Sequence, residues 1–183
     1  TFAPSAPDSW KKNPNEWLSS LDIEAVMKQH EKNMRNFVFI GPSPIDFDTR
    51  LSYGECVWDD LCKFKLERHI KNGKNKIGFM FNLDPHYKDG SHWFSTFVDV
   101  KKKFIFYIDS TGDPMPKQIK KLVERIMDEA DSLNISMKLY ENKKAHQRSN
   151  TECGIYSLYI ITELLYKRKT PEYFMKTRVP DND

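Results

Sequence analysis

His146-Gln147-Arg148-Ser149-Asn150-Thr151-Glu152-Cys153-Gly154-Ile155-Tyr156 is a polar run that stops at a cysteine, after which apolar residues dominate as far as Tyr166. The change of pattern predicts a loop feeding the start of a buried helix, with Cys153 in its first turn. A thiol there meets the unpaired N–H groups and the positive end of the helix dipole. Those groups favour thiolate over thiol, and the thiolate is the nucleophilic form. Gly154 removes a side chain beside the sulfur, so a substrate backbone can approach closely. The competing reading of Cys153 is a small buried hydrophobe, the usual fate of a free cysteine.

Outward from this stretch the chain alternates strands and helices. Upstream, Ile135 to Tyr140 reads as a strand, and Lys117 to Leu133 reads as a helix. In that helix Ile119, Leu122, Val123, Ile126, Met127 and Ala130 recur at three and four. Trp93 to Val100 and Phe104 to Ile108 form a hairpin through Lys101-Lys102-Lys103. Ile77 to Leu83 is an apolar strand, central in a sheet. Phe37 to Ile40 is a short strand closed by Gly41-Pro42, and Cys56 to Ile70 reads as one helix. Ile23 to Lys32 is an amphipathic helix with Ile23, Val26, Met27 and His30 on one face. Pro171 opens a last helical turn. The order implies α+β: a mostly antiparallel mixed sheet flanked by helices. Residues 1–14, rich in Pro, Ser, Asn and Lys, read as an extended arm, and 15–183 as one domain.

At 183 residues the chain suits one domain with a full core. No apolar run approaches the roughly 20 residues of a membrane span. The chain begins at Thr1, not methionine, which fits either a processed product or a piece cut for expression, and both would leave out targeting information. Three cysteines make no disulfide framework; Cys56 and Cys62 read as structural, and no CxxC pair suggests zinc. A reducing intracellular compartment is therefore expected, cytosol or nucleus among them. The net charge of +3 argues against nucleic acid as a partner. The lysine clusters at 101–103, 120–121, 143–144 and 167–169 read as scattered surface charge.

A thiolate nucleophile requires a base, a group to orient the base, and oxyanion donors. His92 sits just before one hairpin strand, and Asp109 ends its partner 17 positions later. Antiparallel pairing brings these two ends together, so Asp109 can hold one imidazole nitrogen and leave the other to the sulfur. Gln147, six residues before Cys153, can supply a neutral N–H to an oxyanion beside the Cys153 backbone N–H. His86 and His146 compete for the role of base, and Asp109 has a simpler reading as a turn cap.

Ser91-His92-Trp93, Phe106-Tyr107-Ile108-Asp109-Ser110 and Gln147…Cys153-Gly154-Ile155-Tyr156 together resemble the signature of the ubiquitin-like-protein (SUMO-type) cysteine proteases, which share a clan with the adenovirus proteinase. Trp17-Leu18, followed by Ile23-Glu24 and Met27-Lys28, is similar to that family's opening motif, though Ser19-Ser20 stands where the family carries an Asn-Asp-like pair. The run 146–154 looks most like the large-DNA-virus branch. The resemblance implies a thiol peptidase with His92 as base, Asp109 as orienter, Gln147 as oxyanion donor and Cys153 as nucleophile. It implies that Trp17 and Trp93, with Gly154, shape a channel that admits only glycines. Cleavage would then follow a Gly-Gly type sequence in a viral structural polyprotein or a ubiquitin-like conjugate. No metal or cofactor, no membrane and a monomer are expected. Two alternatives stand beside it: a same-clan acetyltransferase using acetyl-coenzyme A, and an inactive module that binds ubiquitin-like proteins.

Overall fold

The computed structural model describes residues 20–83, 92–109, 112–143, 145 and 153–177. The arm 1–14 lies outside them. Five strands form one sheet in sequence order: β1 (Phe37–Pro44), β2 (Lys76–Asn82), β3 (Trp93–Asp99), β4 (Phe104–Ile108) and β5 (Lys138–Glu141). The central trio β2-β3-β4 is antiparallel, and both edge strands lie parallel to their neighbours. Every residue of β2, β3 and β4 is buried. Such strands read as near-continuous apolar runs because helices cover both faces of the sheet.

One face carries Phe79, Phe81, Phe94, Val98, Ile105 and Tyr107. Against it packs α4 (Lys117–Ser132), which buries Ile119, Leu122, Val123, Ile126 and Ala130, the stripe expected from its periodicity. The other face carries Met80, Trp93, Phe97, Phe104 and Phe106 and receives α1 (Ser20–Asn33) and α5 (Cys153–Leu165). The α5 helix is apolar nearly all round and is buried accordingly. It approaches β2 over Gly78, where a Cβ would come within 3.1 Å of the Phe37 ring and 3.3 Å of Ile161 Cγ2. At its C-terminal end the buried Lys76 amine donates to the Leu165 carbonyl at 3.0 Å, satisfying one of the carbonyls a helix end leaves unpaired.

Among the differences from the sequence reading, four bear on the packing. β1 runs on to Pro44 through an irregularity between Ile40 and Ser43. Gly41 permits this with φ +128, because a Cβ there would lie 2.6 Å from the Met80 carbonyl oxygen. β5 starts at Lys138 rather than Ile135, because the preceding residues close α4: Asn134 is left-handed and the Ile135 N–H returns to the Ala130 carbonyl at 2.9 Å. The expected helix from Cys56 to Ile70 is two short helices, α2 (Asp59–Cys62) and α3 (Leu66–Lys71). Cys56 lies before both, in an extended segment whose N–H groups are spent elsewhere: Val57 donates to Thr49 and Trp58 to Phe47. Arg125 of α4 binds the carbonyls of Leu61 (2.8 Å) and Phe64 (3.1 Å), stabilising the break. The fourth difference follows. Cys56 and Cys62, expected as separate structural thiols, are joined in a disulfide, because the break turns both toward one point. The last helix, α6 (Pro171–Lys176), begins at Pro171 as expected, with Thr170 capping it through the Tyr173 N–H. No helix among the described residues is long and apolar enough to cross a membrane.

Candidate active site

The β3–β4 register pairs Ser95 with Ile108. Extending it by one residue sets Asp109 opposite Phe94, so His92 is the diagonal neighbour of Asp109 on the same face. There the His92 Nε2 lies 3.0 Å and 2.9 Å from the two Asp109 carboxylate oxygens. Both side chains are nearly enclosed, at 13% and 5% exposure, which screens the pair little from its own charge. The hairpin thus brings together the two residues that spacing had matched. With Nε2 facing the carboxylate, Nδ1 is the ring nitrogen that can exchange a proton with a thiol.

The loop after Asp109 is pinned to the end of β5. The Asp109 carbonyl accepts from the Gly112 N–H at 2.9 Å and from the Asn142 side-chain amide at 3.5 Å. Asn142 is fully buried, and its own N–H donates to the Tyr107 carbonyl at 3.0 Å. Glu141 accepts from the Met115 N–H at 3.1 Å. Gly112, at φ +80, fits only because it lacks a Cβ, which would sit 2.8 Å from the Lys143 carbonyl oxygen. This packing also fixes residues 142–143.

Two of these residues were missed from sequence. Asn142 carried no motif; its only signal is a polar residue closing an edge strand. Asp113, four residues past Asp109, carried no motif either. One of its carboxylate oxygens lies within 4.8 Å of both the His92 ring and the Asp109 carboxylate. Beneath them Tyr107 is fully buried. Its phenol is pushed well above the ordinary range by burial first, then by the charges of Asp109, Glu141 and Asp113, so it stays neutral.

Cys153 and Gly154 open α5, at the helix start foreseen for them; their side chains, and all of Gln147, Trp17, His86 and His146, lie outside the described residues. One turn into α5, Ser157 Oγ donates to the Trp93 carbonyl at 3.5 Å, which ties the first turns of this helix to the residue next to His92. Trp93 itself is 6% exposed and belongs to the core under α5.

Residues 74–182 match the Ulp1 protease family, C-terminal catalytic domain. The chain belongs to the Ulp1 cysteine-protease family. The matched span contains His92, Asp109, Gln147 and Cys153. The chain is 32% identical over 151 residues to a protein of Acanthamoeba polyphaga mimivirus named as thiol protease R355, covering 82% of this chain and 48% of that one. It is also 32% identical over 182 residues to the SUMO-1 cysteine protease S273R of African swine fever virus, covering 94% and 66%. The fold matches the crystal structure of the African swine fever virus pS273R protease with a TM-score of 0.79 at 23% identity, over 98% of this chain and 67% of that one. The C-terminal Ulp1 protease domain, solved in complex with SMT3, the yeast orthologue of SUMO, matches with a TM-score of 0.58 at 24% identity, over 85% and 68%. The family's α+β fold and the likeness to large-DNA-virus members agree with the sequence reading. The chain spans about half of the mimivirus relative and two thirds of the African swine fever virus one.

Proposed function

We propose that this chain is a cysteine peptidase that cleaves after a Gly-Gly type sequence, in a viral structural polyprotein or a ubiquitin-like conjugate. The observation that carries the reading is the enclosed His92–Asp109 pair at 2.9 Å. It sits beside Trp93, to which the first turns of the helix opened by Cys153 are bonded. Asp109 fixes the imidazole with Nε2 inward and stabilises the imidazolium that forms during turnover. The Cys153 thiol gives its proton to His92 Nδ1, and the sulfur attacks the carbonyl carbon of the terminal glycine. The Gln147 side-chain N–H and the Cys153 backbone N–H hold the oxyanion. His92 then protonates the leaving amine as the C–N bond breaks. Water hydrolyses the resulting thioester with His92 as base. The family resemblance makes Trp17 and Trp93 the walls of that channel, Trp93 through the small edge it leaves exposed; a Cβ on the substrate would collide with an indole.

The test sets three substrates side by side: ubiquitin and SUMO, each carrying a C-terminal fluorogenic amide, and a Gly-Gly-X peptide. Turnover of at least one, lost in Cys153→Ala and lost when Gly-Gly becomes Ala-Ala, supports the proposal. Undiminished turnover by Cys153→Ala refutes it. Which substrate is preferred distinguishes maturation of viral proteins from deconjugation.

A further inference from the structure

At the end of the molecule away from His92, two lysine clusters that looked scattered in sequence converge on one cleft. The β3–β4 turn contributes Lys102 and Lys103, β5 contributes Lys138, and the turn after α5 contributes Lys167 and Lys169. The cleft has a volume of about 300 Å³ and is floored by Phe104, Leu164 and Pro171. It lies one strand length, on the order of 20 Å, from the catalytic pair, because β3 runs from Trp93 to Asp99 between them.

Two carboxylates on the cleft wall accept hydrogen bonds from neutral donors and keep their charge. Asp99 is buried, accepts from the Lys102 backbone N–H at 2.9 Å, and stands across from Lys76. Glu172 accepts from the Tyr140 hydroxyl at 2.7 Å, and that bond holds its carboxyl below the usual range. Among the described residues, none of the five cleft lysines is in an ion pair. Lys138 and Lys169 instead rest their amines on the rings of Tyr140 and Tyr173, at 4.7 Å and 4.5 Å. The crowding of charge registers on buried Lys76: burial lowers its pKa, Asp99 opposes this, and Lys167, Lys102 and Lys101 add to the lowering.

Two of the lysines stand where lysine is unfavourable. Lys103 and Lys167 both adopt φ of 58°, a conformation suited to glycine or asparagine. Both turns that line the cleft therefore carry a cation against the local backbone preference. Five lysines against two carboxylates leave a surplus of positive charge around a concave space, which a multiply charged anion would offset. A bilayer surface does not enter a concavity. The two tyrosine rings are capped by lysines, so they present no bare platform on which a nucleic-acid base could stack. The volume is at the small end of ligand pockets, roughly 300 Å³ and upward.

We propose that this cleft binds a compact polyphosphate anion, held by Lys102, Lys103, Lys138, Lys167 and Lys169. The proposal does not depend on the peptidase reading. Inorganic tripolyphosphate is the probe, titrated calorimetrically into the full chain at low ionic strength, where exposed charges are least screened. Three proteins are compared: wild type, Lys102→Gln/Lys138→Gln/Lys167→Gln, and the control Lys28→Gln/Lys120→Gln/Lys121→Gln. The expected result is saturable binding by wild type and control, at least tenfold weaker in the cleft variant. Should the triple variant not fold, Lys102→Gln and Lys138→Gln singly should each reduce the tripolyphosphate-induced rise in melting temperature. Equal affinity in cleft and control variants overturns the proposal. So does binding of a duplex oligonucleotide or an acidic peptide without binding of tripolyphosphate.

Discussion

Acidification should loosen the far end of α5 through His30, which is 1% exposed on α1. Tyr166, just past α5, lies against it with ring centroids 5.4 Å apart. The Asn33 amide donates to the Tyr166 hydroxyl at 3.0 Å, and that hydroxyl lies 2.8 Å from His30 Nδ1. The hydroxyl can donate to Nδ1 when the ring is neutral and that nitrogen carries no proton. Burial, with the nearby Arg168 charge, lowers the His30 pKa from 6.5 to about 4. In the unfolded chain the ring titrates near 6.5, so between those values the unfolded state binds a proton that the native state refuses. Stability supplied by the neutral ring is thus present above about pH 6.5 and lost as pH falls toward 4. Integrated from pH 7 to pH 5, the loss is about 2 kcal/mol. For a chain of this size that corresponds to a fall in Tm of roughly 4–8 °C. The assay is urea denaturation of wild type and His30→Gln at both pH values. Glutamine keeps an acceptor for the tyrosine but cannot titrate, so other groups cancel in the comparison. Wild type should lose about 2 kcal/mol more than the variant. Parallel losses in the two proteins would refute the assignment of a neutral, buried imidazole.

Three further outcomes are expected. Replacing Asp109 with Ala should lower kcat/KM by at least about 10²-fold, since it removes the group that orients the base, while circular dichroism stays native. Asn142→Ala removes the side-chain donor from the Asp109 carbonyl, which keeps the Gly112 N–H, and should cost about 0.5–1.5 kcal/mol, read by denaturant unfolding. Thiol titration of the native, unreduced protein should detect no more than one cysteine, Cys153, and three after reduction and unfolding, because Cys56 and Cys62 are bonded to each other.

The sequence by itself determined the local elements and the candidate catalytic pair. Apolar spacing in Lys117–Leu133 sets the buried stripe of α4, whatever the helix packs on. The short turn at Lys101–Lys103 leaves one way for Trp93–Val100 and Phe104–Ile108 to pair, and antiparallel pairing then delivers His92 to Asp109. Such features follow from backbone periodicity and turn geometry, which act over a few residues. Tertiary structure decided what depends on contacts distant along the chain. The break between α2 and α3 depends on Arg125 reaching their carbonyls from α4, so neither it nor the disulfide beside it could be read from residues 56–70. Asn142 acquires its role only because β5 adds in parallel beside β4 and ends next to the Asp109 loop. The lysines at 102–103, 138 and 167–169 are separate runs in the chain and a single electrostatic feature in the fold, because charge acts through space and only folding sets the distances.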